Sequence, residues 1–241
     1  MEHNLRRKNI ERLVGENNVD YALSQIRSLV TNDQKYMIKT SSNKSLVIIF
    51  PDKTIKIFPK SISILPELTA LSKINSRYVI KVVAFINEPN LKVIVYKTVI
   101  PLMEPPNNLT SLYKLLCDIA KALYDIHSHG YIHGDTGIGN IGTEGKHYVL
   151  YDFEDVEQDS SPEKRYTDVN NFLEDLRVRY KRLHSPLIKV INLIQSYMEI
   201  MFVNKEIVTR MVLGKQRRRT LKTYTYRIGS FKKLVNWIGN I

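Results

Sequence analysis

The stretch from Leu123 to Val156, LYDIHSHGYIHGDTGIGNIGTEGKHYVLYDFEDV, constrains the fold more than any other part of the chain. An apolar helical pattern stops at Gly130 and runs into a short polar loop carrying His133, Asp135 and Asn140. Gly142 to Lys146 reads as a turn. The β-branched and aromatic run Tyr148 to Tyr151 reads as a strand that delivers Asp152 and Phe153. Asn140 and Asp152 therefore fall on the two sides of one hairpin. Gly137 to Gly142 also matches the G-x-G-x-x-G pattern of dinucleotide sites, but that pattern needs a strand before it and a helix after it. The order here is reversed, which excludes such a site. His127, His129 and His133 are not spaced as zinc ligands.

The order His133-x-Asp135, four residues, Asn140, then a strand ending in Asp152-Phe153-Glu154, resembles the catalytic loop and metal-binding segment of the protein-kinase superfamily. The resemblance implies an α+β, two-lobed fold. Its small lobe would hold a five-stranded antiparallel sheet plus helix C, and its large lobe would be mainly helical. It also implies transfer of the γ-phosphate of Mg-ATP to a hydroxyl, a reaction governed by positioning and charge neutralisation. Asp135 would be the catalytic carboxylate that orients the acceptor hydroxyl. Asn140 and Asp152 would hold magnesium and with it the nucleotide, since Mg²⁺ takes few protein carboxylates and shares its shell with phosphate oxygens. His127 and His133 would pack and orient the loop. Asp168, in TDVNNFLEDL, resembles the aspartate of the family's central helix that braces the catalytic loop.

The rest of the chain fits round that stretch. With 241 residues and 43% hydrophobic content it can bury a sizeable core in one or two domains. A single cysteine, Cys117, excludes an internal disulfide and points to a reducing, intracellular setting, in cytoplasm or nucleus. The Ile, Asn, Lys and Tyr bias points weakly to an AT-rich genome, such as a virus whose protein acts in a host cell. No early segment resembles a signal peptide, and no apolar run is long enough to predict a membrane span or a membrane partner.

Residues 1–34 form a predicted helical extension, with Ile10, Leu13, Val14 and then Leu23, Ile26 and Leu29 at helical spacing. Residues 35–98 correspond to the small lobe. Strands are predicted at Tyr36–Ile38, Leu46–Phe50, Thr54–Phe58, Val82–Ile86 and Leu91–Tyr96. Lys56 stands in the local form Ile-Lys-Ile, and by strand alternation alone it would be an ordinary exposed lysine. In the kinase resemblance it is the ligand of the α- and β-phosphates, and Glu67 at the start of helix C is its partner. The turn Ser41–Lys44 takes the place of the glycine-rich lid but holds no glycine, so its backbone approaches phosphate less closely, with Ser42 or Lys44 as the only compensation at hand. Residues 99–108 correspond to the hinge and 109–204 to the large lobe. There Leu112, Leu115, Leu116, Ile119, Leu123 and Ile126 make a core stripe, and Ser185-Pro186 opens a helix running to about Asn204. Ser161-Pro162-Glu163 is similar to the end of an activation segment.

Residues 205–241 form a basic C-terminal segment to which no element is assigned. The net charge is +12, and no Asp or Glu follows Glu206. That segment suits a solvated surface, a nuclear-import patch, or contact with nucleic acid or another acidic partner.

Three departures narrow the resemblance. Gly134 replaces the arginine that clamps a phosphorylated activation segment, Gly137 replaces a phosphate-binding lysine, and Glu154 replaces the glycine of D-F-G. H-G-D with D-F-E is similar both to small atypical protein kinases and to aminoglycoside and choline phosphotransferases. The leading expectation is a serine/threonine protein kinase with a protein substrate. The alternatives are a small-molecule kinase and, because of the glycine-free lid, a pseudokinase or basic binding module.

Overall fold

The structure is a computed structural model that describes residues 7–29, 37–40, 45–159, 161–212 and 215–238. The predicted lid, with Ser42 and Lys44, lies outside the described residues, as does Tyr36 at the start of the first predicted strand. The chain is α+β and divides into two compact units, one of residues 1–75 and 80–100, the other of residues 76–79 and 101–241.

In the first unit, helices α1 (Arg7–Val14) and α2 (Val19–Ser28) precede three strands, β1 (Met37–Thr40), β2 (Leu46–Ile49) and β3 (Lys53–Phe58). Helix α3 (Leu65–Lys73) follows, then β4 (Val82–Glu88) and β5 (Leu91–Lys97). The five strands form one antiparallel sheet in the order β1-β2-β3-β5-β4. The helical spacing of Ile10, Leu13 and Val14, then of Val19, Ala22 and Ile26, gives α1 and α2 one apolar face each. Both faces join Leu46, Ile48, Ile55, Ile57, Val93 and Val95 in a single core. Helix α3 starts two residues before Glu67, with Pro66 in its first turn, where a missing N–H is harmless. Its buried face runs through Glu67, Ala70 and Ile74, while Leu68 and Leu71 are half-buried.

The chain passes to the second unit along the two-residue strand β6 (Ile100–Pro101). Helix α4 (Leu109–Ser128) is capped by Asn108, whose side chain accepts from the Ser111 N–H at 2.8 Å. All six residues of the expected stripe are buried. The helix ends at Gly130, whose φ of 78° lies in the left-handed region that closes helices. Strand β7 (Tyr131–Ile132) leads into the polar loop, and the hairpin β8 (Ile141–Glu144) and β9 (His147–Leu150) follows. Strand β10 (Glu157–Gln158) returns to pair with β7.

Helix α5 (Pro162–Arg182) and helix α6 (Ile188–Phe202) then pack together. Two expectations need correction here. Ser161-Pro162-Glu163 is the start of α5, with Ser161 as its cap and Pro162 in its first turn. Helix α6 begins at Ile188, because the Ser185 carbonyl and hydroxyl are taken up by a turn to Ile188 and Leu187. The basic segment that periodicity left unplaced forms an antiparallel hairpin, β11 (Val203–Val212) with β12 (Lys215–Tyr224), and then helix α7 (Ser230–Ile238). Phe231, Leu234 and Val235 give α7 a buried face. Among the described residues no helix is long and apolar enough to cross a membrane.

Candidate active site

The loop between β7 and β8 is held from below by one carboxylate. Asp168, on α5, is 2% exposed, so its charge must be met by hydrogen bonds inside the protein. Its Oδ2 accepts from the His133 N–H at 2.8 Å and its Oδ1 from the Gly134 N–H at 3.0 Å. His127 Nε2 lies 3.0 Å from Oδ2. The Asp168 carbonyl accepts from the Thr136 hydroxyl at 2.5 Å. One residue thus fixes the backbone on the N-terminal side of Asp135.

His133 is fully buried. Its Nε2 donates to the Tyr151 carbonyl at 3.2 Å, and its ring centre lies 4.4 Å from that of Phe153 with the planes tilted by 59°. Burial lowers its pKa below the ordinary imidazole value, against the opposing pull of Asp168, the Tyr151 carbonyl, Asp152 and Asp135. It is a neutral packing group between the loop and the segment after β9. His129 instead bonds its own helix, with Nδ1 2.7 Å from the Asp125 carbonyl. His129 thus stands apart, while His127 through its ring and His133 through its backbone N–H both reach Asp168 Oδ2.

Asp135 and Asn140 are brought together. The Asn140 amide donates to Asp135 Oδ2 at 2.8 Å and to the Asp135 carbonyl at 3.1 Å. Oδ1 of Asp135 lies on the Gly137 side and accepts no hydrogen bond among the described residues. Across the hairpin, the Tyr151 N–H donates to the Asn140 carbonyl at 2.9 Å, which ties Asn140 to the residue before Asp152. Asp152 has φ 67°, a left-handed conformation that is uncommon for a non-glycine residue and that clusters at functional sites. It breaks the strand and leaves Phe153 buried behind it.

A second aspartate on α5 escaped the sequence reading. Asp175 Oδ2 accepts from the Ile138 N–H at 2.7 Å, and the Arg179 guanidinium lies 3.2 Å from the same oxygen. Asp168 and Asp175 stand seven residues apart, two helical turns, so both face the loop and hold it at either end. The spacing D-x6-D along a helix was the available signal. Beside Asp135 an open cavity of about 490 Å³ is walled by Gly137, Gly139 and Asn140 and by Asn171, Glu174 and Asp175 of α5.

In the other unit, Lys56 is only 6% exposed, unlike the surface lysine that strand alternation suggests, and its ammonium lies 5.2 Å from the centre of the Phe58 ring. Glu67 is buried too and accepts from the Tyr96 hydroxyl at 2.7 Å. Tyr96 was not singled out from the sequence. A tyrosine closing an apolar strand needs a partner for its hydroxyl, and that was its signal.

Among the described residues no three His, Cys, Asp or Glu side chains gather as a metal site. A magnesium ion bound through one carboxylate, one amide and phosphate oxygens needs no such group. Asp152 and Asn140, which offer only oxygen ligands, are the residues that would hold such an ion. No protein-family model matches the chain, and no curated protein matches it.

Proposed function

We propose that the chain is a Mg-ATP-dependent phosphotransferase of two-lobed, protein-kinase-like fold that acts on a serine or threonine hydroxyl of a protein. The observation that carries the reading is the hydrogen-bonded pair of Asp135 and Asn140 on a loop clamped by Asp168. Asp135 uses Oδ2 to accept from Asn140, which fixes the carboxylate plane and aims Oδ1 at an acceptor hydroxyl. That group orients the hydroxyl and accepts its proton, a contribution of about 10²–10⁴-fold to the rate. Asn140 and Asp152 hold magnesium, Lys56 takes the α- and β-phosphates, and buried Glu67 keeps the lysine in place. Bound Mg-ATP supplies the phosphoryl group and neutralises its developing charge.

A second reading, a small-molecule kinase, is favoured by the cavity beside Asp135. Its volume of about 490 Å³ falls within the range of small-ligand pockets, and its carboxylates suit an amine-bearing acceptor.

Mg-dependent turnover of labelled ATP by the purified chain, by Asp135→Asn and by Asp152→Asn tests both. The expected result is label on protein, reduced about 10²-fold or more in Asp135→Asn and lost in Asp152→Asn. Label on a small amine or on water instead of protein transfers the assignment to the second reading. Neither nucleotide binding nor turnover in the native chain would overturn both readings and leave a pseudokinase or binding module.

A further inference from the structure

The β11–β12 ribbon has no part in the phosphotransfer reading, yet its composition is extreme. Between Val203 and Tyr224 lie seven basic residues, Lys205, Arg210, Lys215, Arg217, Arg218, Arg219 and Lys222, and one acidic residue, Glu206. The register sets like against like, Lys205 opposite Lys222 and Arg210 opposite Arg217, while Glu206 faces Leu221. A ribbon of this composition carries a surplus of positive charge that an anionic partner would neutralise. Each strand has ten residues, about 34 Å at roughly 3.4 Å per residue. That length spans several phosphates of a nucleic acid.

A second observation says which polyanion. A cavity of about 410 Å³ opens where α5, α6 and β12 meet. Its walls carry three carboxamides, Asn170, Asn192 and Gln195, with Tyr166, Tyr224 and Lys222 beside them. The two tyrosine rings lie 5.4 Å apart and tilted by 47°, each half-buried. Gln195 Nε2 donates to Glu174 Oε2 at 3.2 Å, but the Asn170 and Asn192 carboxamides present donor and acceptor side by side, as the edge of a nucleobase does, and aromatic faces stack on unpaired bases. Glu199 on the same wall adds an acceptor for exocyclic amino groups. A carboxylate-rich peptide would use the basic ribbon but would leave this amide and tyrosine cavity unmatched.

We infer that the β11–β12 ribbon and the cavity at its root bind single-stranded nucleic acid, the ribbon taking phosphates and the cavity an unpaired base. The test is fluorescence anisotropy of the full chain with labelled oligothymidine, oligouridine and a mixed-sequence duplex, across a salt series. The single strands should bind more tightly than the duplex, and the choice between DNA and RNA falls to the two homopolymers. In Arg217→Ala/Arg218→Ala/Arg219→Ala the slope of log K against log salt should fall by about two, at roughly 0.7 per phosphate contact on a single strand. Tyr224→Ala, and separately the exposed Asn192→Ala, should weaken binding with the slope unchanged, by about tenfold for the tyrosine. Thermal melts of each variant separate lost binding from lost folding. An unchanged slope in the triple variant, duplex bound as tightly as single strand, or polyglutamate competing as well as oligothymidine would each overturn the assignment. All three readouts are independent of phosphotransfer.

Discussion

Gly134 shows how one residue can set the character of a site. Its φ is 87°, and a Cβ there would collide with the Asp155 carbonyl oxygen. The loop and the segment after Asp152 can approach only because that atom is missing. Any side chain at this position has no room against the Asp155 backbone. Gly134→Ala should lower stability by more than the ~1–2 kcal/mol that a left-handed backbone alone costs, read as a shift in the urea midpoint at unchanged m. His133 contributes a pH dependence. Burial lowers its folded-state pKa below the ordinary imidazole value of about 6.5, so the unfolded chain binds the proton first. The stability it supports is complete above about pH 6.5 and is lost as pH falls through that value towards the lower folded pKa. Melting temperature should fall between pH 7 and 5, and His133→Gln should flatten that fall. The spacing that singled out Asp135, Asn140 and Asp168 in the sequence falls on residues that the structure joins by hydrogen bonds to one loop. The burial of Lys56 was not legible there, because alternation assigns a face but cannot say that both faces are covered.

Among the elements, α5 carries most of the site: Asp168 and Asp175 hold the loop, and Asn171 and Glu174 wall the cavity. Its start was misread from the sequence because serine, proline and glutamate suit a helix N-terminus as well as the end of an extended segment. Proline at the first helical position and a glutamate in the first turn decide for the helix. The Ser161 hydroxyl accepts from the Lys164 N–H at 3.4 Å, a long contact. Ser161→Ala should therefore cost about 0.5 kcal/mol, the low end of the capping range, measurable by chemical denaturation. The sheet and α4 were legible because their apolar periods are unbroken. The β11–β12 hairpin was hidden because basic residues and threonine interrupt every alternation. For α7 the spacing of Phe231, Leu234 and Val235 was a usable signal.

On the scale of the whole molecule, the chain crosses between its two units at three places, after residues 75, 79 and 100. The short stretch Ser76–Val79 belongs to the second unit. There the Tyr78 carbonyl accepts from the Leu150 N–H at 2.9 Å, and the Tyr78 ring meets His147 edge-on at 5.4 Å. On the proposed reading, a nucleotide bound with magnesium through Asn140 and Asp152 should stabilise the folded chain. Mg-ATP at a hundred times its Kd should add about 2.7 kcal/mol, seen as a rise in melting temperature. Without magnesium, or in Asp152→Asn, that rise should largely disappear.

The ribbon leaves and rejoins the body at one point. Val203 pairs with Tyr224, and just outside them the Thr225 N–H reaches the Phe202 carbonyl at 3.0 Å. The two ends of the excursion are closed on each other, so the span from the end of α6 to the approach of α7 is set by that closure and not by the length of the ribbon. A change at the far end of the ribbon would be absorbed there, while a change at its root would reach α5 through Tyr224 and Tyr166.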